Sequence, residues 1–294
     1  MKTTIFAVAL SMISCFAYSQ NKPAYLIYSD GQEVQWTDLV NAAQASDIVF
    51  FGEYHNNPIC HWLQFELTKE LYALKNGKII LGAEMFESDN QLIINEYLSG
   101  LIKEKNFTEE ARLWGNYKTD YRPLLEFAKE NKLPFVATNV PRRYAAAVNN
   151  GGFEALESFS QDSRQFFPPL PIPFDPELPG YKAMTEMMQM AGGKQGGSMH
   201  IAEAQALKDA TMAWFILKNL QGGSVFLHFN GAYHSDNREG IVWYVNHFVS
   251  NAFKKIKLKI LTISVEEADD MGVAPVENKA DFIIVTPSSM TSTH

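Results

Sequence analysis

Two histidines close short turns that begin with glycine: Gly52-Glu53-Tyr54-His55 and Gly231-Ala232-Tyr233-His234. Imidazole is a base near neutral pH and the commonest side-chain ligand for divalent transition metals. Glu53, and Glu84 at the end of Gly82-Ala83-Glu84, bring carboxylates to the same turns. Two histidines with a carboxylate suit a divalent metal such as zinc or manganese, so His55, His234, Glu53 and Glu84 are the candidate metal ligands. The plainer alternative is that each imidazole caps its loop or bonds a backbone carbonyl. The repetition of the motif keeps the metal reading open.

A second set of polar groups follows a helical spacing. Ile201, Gln205, Asp209, Met212 and Ile216 form one stripe, mostly apolar as a core-facing surface should be. Gln205 and Asp209 are then polar groups aimed inward, which need partners: a helix N-cap, Arg142 or Arg143, or the imidazoles of a site. His200, near the start of this helix, could face the same cleft. His228, within a strand pattern, reads as a satisfied core histidine. His61, beside Cys60, either supports the His55 turn or is amphipathic filler. The methionines from Met184 to Met190 read first as a soft core or lid. Phosphate loops, dinucleotide fingerprints, Gly-x-Ser-x-Gly elbows and Cys-x-x-Cys-His are all missing from the sequence.

These groups must be held by an alternation of strands and helices. Strands are expected at Asp47–Gly52, Lys78–Glu84, Leu133–Asn139, Ser224–Gly231, Ile256–Val265 and Asp281–Thr286. Most are continuous apolar runs, as strands covered on both faces are. Helices are expected around Pro58–Lys75, Ser88–Leu101, Tyr121–Asn131, Met199–Leu220 and Asn237–Asn251. The fold class is therefore α/β, a mostly parallel central sheet flanked by helices. Four of the strands run into the polar groups named above, where ligands of open α/β sheets bind. Residues 141–198 show no strand pattern and read as a helical insertion. It has a helix at Arg142–Asn149, a short one within Phe153–Phe167, the elbow Pro168-Pro169-Leu170-Pro171-Ile172-Pro173, a Met-rich helix at Tyr181–Met190 and a Gly-rich end.

The chain has 294 residues, 46 % of them apolar, which is ample for a core. A net charge of -8 argues against sequence-independent nucleic-acid binding, which needs a dense basic surface. Met1-Lys2, the apolar stretch Ile5–Phe16 and Ala17-Tyr18-Ser19 read as a secretory signal over residues 1–19, cleaved before Gln20 and followed by one domain over 20–294. The alternative is a lipid anchor at Cys15, disfavoured by Met12 where leucine is usual. After cleavage Cys60 is the sole cysteine, so no intrachain disulfide is expected.

The run Gly52-Glu53-Tyr54-His55-Asn56-Asn57-Pro58, with His61 and Gln64, resembles the first motif of the ChaN-like haem-binding uptake proteins, within the Tiki/TraB/erythromycin-esterase-like superfamily. Gly82-Ala83-Glu84-Met85-Phe86, then Asn139-Val140-Pro141-Arg142-Arg143-Tyr144, then His200 with Gln205, Asp209, Met212 and Ala213, and finally Gly231–His234 continue it in order. The resemblance spans about Ser29 to Thr286. It implies an exported protein of bacterial haem or iron uptake, periplasmic or at the outer membrane and working with outer-membrane uptake machinery. It also implies haem held between two subunits of a homodimer through a tyrosine. Tyr181 falls where that ligand is expected, with Tyr54 and Tyr233 as rivals. Met184 and its neighbours would cover the porphyrin, and Arg142 or Arg143 would pair with propionates. His200 and Gln205 complete the implied cofactor set. The same superfamily contains metal-dependent peptidases, and by that likeness His55, His234 and Glu53 or Glu84 would hold a metal. Glu53, Glu84 and Asp209 would then be the catalytic carboxylates of a hydrolase. The second turn departs from the pattern, with Ala232-Tyr233 where smaller or more polar residues are expected.

Overall fold

Side chains of a strand point alternately to the two faces of its sheet, and here both faces are apolar. Ile48 and Phe50 join one core cluster, while Val49 and Phe51 join the other. The structure is a computed structural model that describes residues 22–190, 200–253, 257–275 and 278–293. The expected signal segment, with Cys15, and the glycines of 192–197 lie outside the described residues.

The strands are β1 (Leu26–Ser29), β2 (Gln32–Val34), β3 (Ile48–Glu53), β4 (Ile79–Glu87), β5 (Phe135–Asn139), β6 (Val225–Gly231), β7 (Ile260–Ala268) and β8 (Phe282–Pro287). They form one sheet in the order β2-β1-β8-β7-β3-β6-β4-β5. From β8 to β5 all pairings are parallel, and β1 and β2 add an antiparallel edge. The expected α/β class and all six expected strands are present. The hairpin β1–β2 was not expected, although its turn is Asp30-Gly31, with φ of 48° and 71°. Both residues adopt the left-handed geometry that a two-residue hairpin turn requires.

The helices are α1 (Trp36–Gln44), α2 (Pro58–Leu74), α3 (Gln91–Leu98), α4 (Glu104–Glu110), α5 (Arg122–Glu130), α6 (Arg142–Gly151), α7 (Pro179–Met190), α8 (Ile201–Asn219) and α9 (Gly240–Asn251). Helices α1 to α5 contribute to the first core cluster, with Leu63, Leu67 and Leu71 of α2 at its centre. Helices α6 to α9 cover the other face, with Leu207, Ala210 and Ile216 of α8 fully buried. The insertion carries no strand among its described residues. Its second helix is instead two 3-10 turns, Phe153–Ser158 and Ser163–Phe166. Helix α7 begins at Pro179, a residue suited to a first turn whose N–H has no partner within the helix.

Glu53 of β3 lies in register with Gly231 of β6, so the two glycine turns leave the sheet side by side. A Cβ on Gly52 would stand 2.8 Å from the Ile263 carbonyl oxygen and 2.9 Å from the Ala232 Cα. Glycine is needed there for that approach, and not for a positive φ. At the outer edge, the Gln91 amide donates to the Phe135 carbonyl (2.9 Å) and accepts from the Ala137 N–H (2.7 Å).

Candidate functional site

Strands β3, β6 and β4 are neighbours, and their C-terminal ends deliver the two turns and Glu84 to one place. Glu53 is the last residue of β3, and its carboxylate is fully buried. It accepts from the Tyr121 hydroxyl (2.6 Å), Gln64 Nε2 (2.6 Å) and His55 Nδ1 (2.8 Å). The His55 ring is half exposed and packs edge-on against Trp114. Burial lowers its pKa, but the bond to Glu53 and its charge outweigh this and leave it raised.

The His55 turn is pinned on several sides. Asn57 caps α2 by accepting from the Cys60 N–H (3.0 Å), while its Nδ2 donates to Thr286 (2.8 Å) and Glu267 (2.9 Å). The His55 carbonyl receives His61 Nε2 (2.8 Å) and Asn116 Nδ2 (3.1 Å). Thr293 donates its N–H to the Asn56 carbonyl (2.9 Å) and its hydroxyl to buried Asp120 (2.9 Å). His61 therefore supports the turn, and His228 is a satisfied core histidine between Thr138 and Asn230. Burial pushes the His228 pKa down to about 4.

The other turn is an ion-pair cluster. The register of β4 against β5 shifts between Ala83 and Glu87, and Glu84 lies in that irregularity. Glu84 accepts the Gly231 N–H (2.8 Å) and lies 3.2 Å from His234 Nε2. On the other side His234 Nδ1 donates to Asp209 (2.5 Å), whose second oxygen accepts the Tyr181 hydroxyl (2.7 Å). Gln205 Nε2 sits 3.2 Å from the same ring. Of the partners expected for inward-facing Gln205 and Asp209, an imidazole is the one used. Burial disfavours a charged His234, but Glu84 and Asp209 outweigh it and raise the pKa to about 10. Burial also pushes the Glu84 carboxyl up, yet His234 beside it, with His55 and the Gly231 N–H, holds it well below the usual carboxylate range. Burial and the Asp209 charge push the Tyr181 phenol far up.

The donor set does not fit a divalent metal. Among the described residues no group of three or more His, Cys, Asp or Glu is arranged to hold one. The expected shell of His55, His234, Glu53 and Glu84 is thus not gathered as a metal site among the described residues. The His234 imidazole stands between Glu84 and Asp209, and both Glu53 and Glu84 are hydrogen-bonded to the neighbours named above.

Two clefts adjoin here. One, of about 630 Å³, is lined by His55, Glu84, His234, Tyr54 and Tyr233 among others. The second, of about 350 Å³, is lined by Arg142, Met184, Ala145 and Ile201. Gln205 and Lys208 line both. A hollow of about 680 Å³ along β5 holds none of these groups. Tyr54 and Tyr233 are half exposed at the first cleft, whereas Tyr181 is 3 % exposed. The Tyr233 hydroxyl donates to the Gly180 carbonyl (2.6 Å), and the Tyr54 hydroxyl has no partner among the described residues. Arg142 donates to Glu87 (2.9 Å) and Arg143 to Asp89 (2.5 Å), so both guanidiniums already face carboxylates. His200 pairs with Glu203 (2.7 Å) beside Gly152 and lines neither cleft. Sequence reasoning passed over Tyr121, Asn116 and Lys208. The first two carry no periodic signal, while Lys208 lies one turn from Gln205 on the same helix face.

The family model for haem-binding uptake proteins (Tiki superfamily, ChaN) matches residues 39–245. Among solved structures, the ChaN of Campylobacter jejuni, described as binding haem cofacially, superposes with a TM-score of 0.63 at 17 % identity, over 90 % of this chain and 97 % of that one. The type III effector HopBA1 gives 0.46 at 14 % identity, over 85 % and 91 %. A variant of the erythromycin esterase EreC in its open conformation gives 0.42 at 10 %, over 86 % and 78 %. No curated protein matches the chain.

Proposed function

The chain belongs to the haem-binding uptake family of the Tiki superfamily (ChaN), and from that premise we propose that it is an exported haem carrier whose porphyrin lies along the two adjoining clefts. A porphyrin needs apolar walls, an axial donor for iron and donors for its propionates. The observation that carries the reading is the junction of the clefts at Gln205 and Lys208, with half-exposed tyrosines on one side and Met184 with Ala145 on the other.

The ligand that the geometry supports best is Tyr54. Its phenol is accessible and without a partner among the described residues, whereas the Tyr181 phenol is buried against Asp209. Ligation by Tyr181 would require α7 to leave its seat. Export is supported by the apolar stretch Ile5–Phe16. A second copy sharing the haem is supported by exposed Met187, Met190 and Tyr233, which a partner would cover.

The test is an absorption titration of the mature protein with hemin, repeated for Tyr54→Phe, Tyr181→Phe and Tyr233→Phe. A saturable Soret change with a high-spin tyrosinate spectrum, lost in Tyr54→Phe alone, is the expected result. Loss in Tyr181→Phe alone would transfer ligation to that residue. A wild type showing no saturable change would overturn the haem reading.

A further inference from the structure

Every cationic or basic group at the clefts but one faces a carboxylate. His234 lies between Glu84 and Asp209, and His55 is bonded to Glu53. Lys279 is 3.0 Å from Glu266 and 3.4 Å from Asp236. Arg142 donates to Glu87. Lys208 is the exception among the described residues. Its Nζ has only the Gln205 side-chain oxygen, at 3.4 Å, and no carboxylate within ion-pair distance.

Its position follows from helix geometry. Ile201, Ala204, Gln205 and Lys208 recur at i, i+3, i+4 and i+7 on α8, and all four line the second cleft. Lys208 and Gln205 also line the first. Lys208, intermediate in exposure, therefore stands at the junction with no carboxylate partner among the described residues. An ammonium that no internal carboxylate holds is available to pair with a bound anion. The arginines expected to take propionates are already bonded to acids, and Lys208 is not.

We infer that Lys208 is the anchor for a haem propionate, a role that rests on the haem reading above. The carboxylate would receive the Nζ hydrogens directly, while the Gln205 side chain, already beside it, steers the ammonium toward the junction.

The experiment compares hemin with its dimethyl ester, in which both carboxylates are neutral, on wild type, Lys208→Gln and Lys208→Arg. Lys208→Gln is expected to weaken hemin about tenfold, the scale of one partly buried charged hydrogen bond. It should leave the ester within about twofold of wild type, and Lys208→Arg should restore hemin affinity. Equal weakening of both ligands would reassign Lys208 to packing and overturn the inference. So would an unchanged hemin affinity in Lys208→Gln. Both results leave the haem reading standing. A wild type that binds neither ligand would overturn the haem reading and this inference with it.

Discussion

Replacing His234 with glutamine tests whether the cluster at the second turn is a charged one. His234 is 7 % exposed at its side chain, with Glu84 at 3.2 Å and Asp209 at 2.5 Å. Its pKa rises from 6.5 to about 10 in the fold. A group whose folded pKa lies above its unfolded value stabilises the fold fully below the unfolded pKa. That stability declines as pH rises and is gone once pH passes the folded value. The linkage relation then gives about 4 kcal/mol at pH 7 and only about 1 kcal/mol at pH 9. Removing one member of a buried ionic group costs about 3–5 kcal/mol by comparison with other proteins, which agrees. The assay is urea unfolding of wild type and His234→Gln at both pH values. Wild type should lose about 2–3 kcal/mol more than the variant between pH 7 and pH 9. Equal losses, or a variant within about 1 kcal/mol of wild type at pH 7, would refute a protonated His234 bridging two carboxylates.

The two turn glycines should differ in tolerance. Gly52→Ala pushes a methyl into backbone atoms and should cost about 1–3 kcal/mol in urea unfolding. Gly231→Ala meets the half-exposed His55 ring at 2.9 Å, so the ring moves, and the cost should be visibly smaller. Equal costs would show that the His55 ring is as fixed as the backbone. Tyr181→Phe leaves one oxygen of buried Asp209 without its donor and should destabilise by about 1–3 kcal/mol. Tyr54→Phe, at an exposed hydroxyl, should change stability by less than about 0.5 kcal/mol; thermal melts of the pair separate the two.

The strands were legible because burial on both faces leaves an unbroken apolar run, as in Ile48–Phe51 and Val225–Phe229. The β1–β2 hairpin was legible only in Asp30-Gly31, since strands of four and three residues carry too little pattern around it. In the site, the inward aim of Asp209 followed from helical spacing, and the cost of an unpaired buried carboxylate required a partner, of which an imidazole was one of three open choices. What could not be read was how the charges pair. The same residue types at the same sheet edge suit a metal or an internal ion-pair cluster. The choice depends on distances of a few ångströms among groups from β4, α8 and the β6 turn. Tyr121 and Asn116 reach the His55 turn from a π turn and its flank, which no hydrophobic period announces.

The amide of Gln91 bears on how copies of this chain can assemble. A sheet extends when an edge strand offers its free N–H and C=O groups to an incoming strand. At β5 those of Phe135 and Ala137 are already taken by a side chain from α3, which imitates the next strand and stops there. Joining two molecules into one continuous sheet through this edge would first require expelling Gln91 and breaking both bonds. Gln91→Ala would uncover that edge and invite aggregation, whereas the helical faces, the loops and the short edge strand β2 are not capped by Gln91.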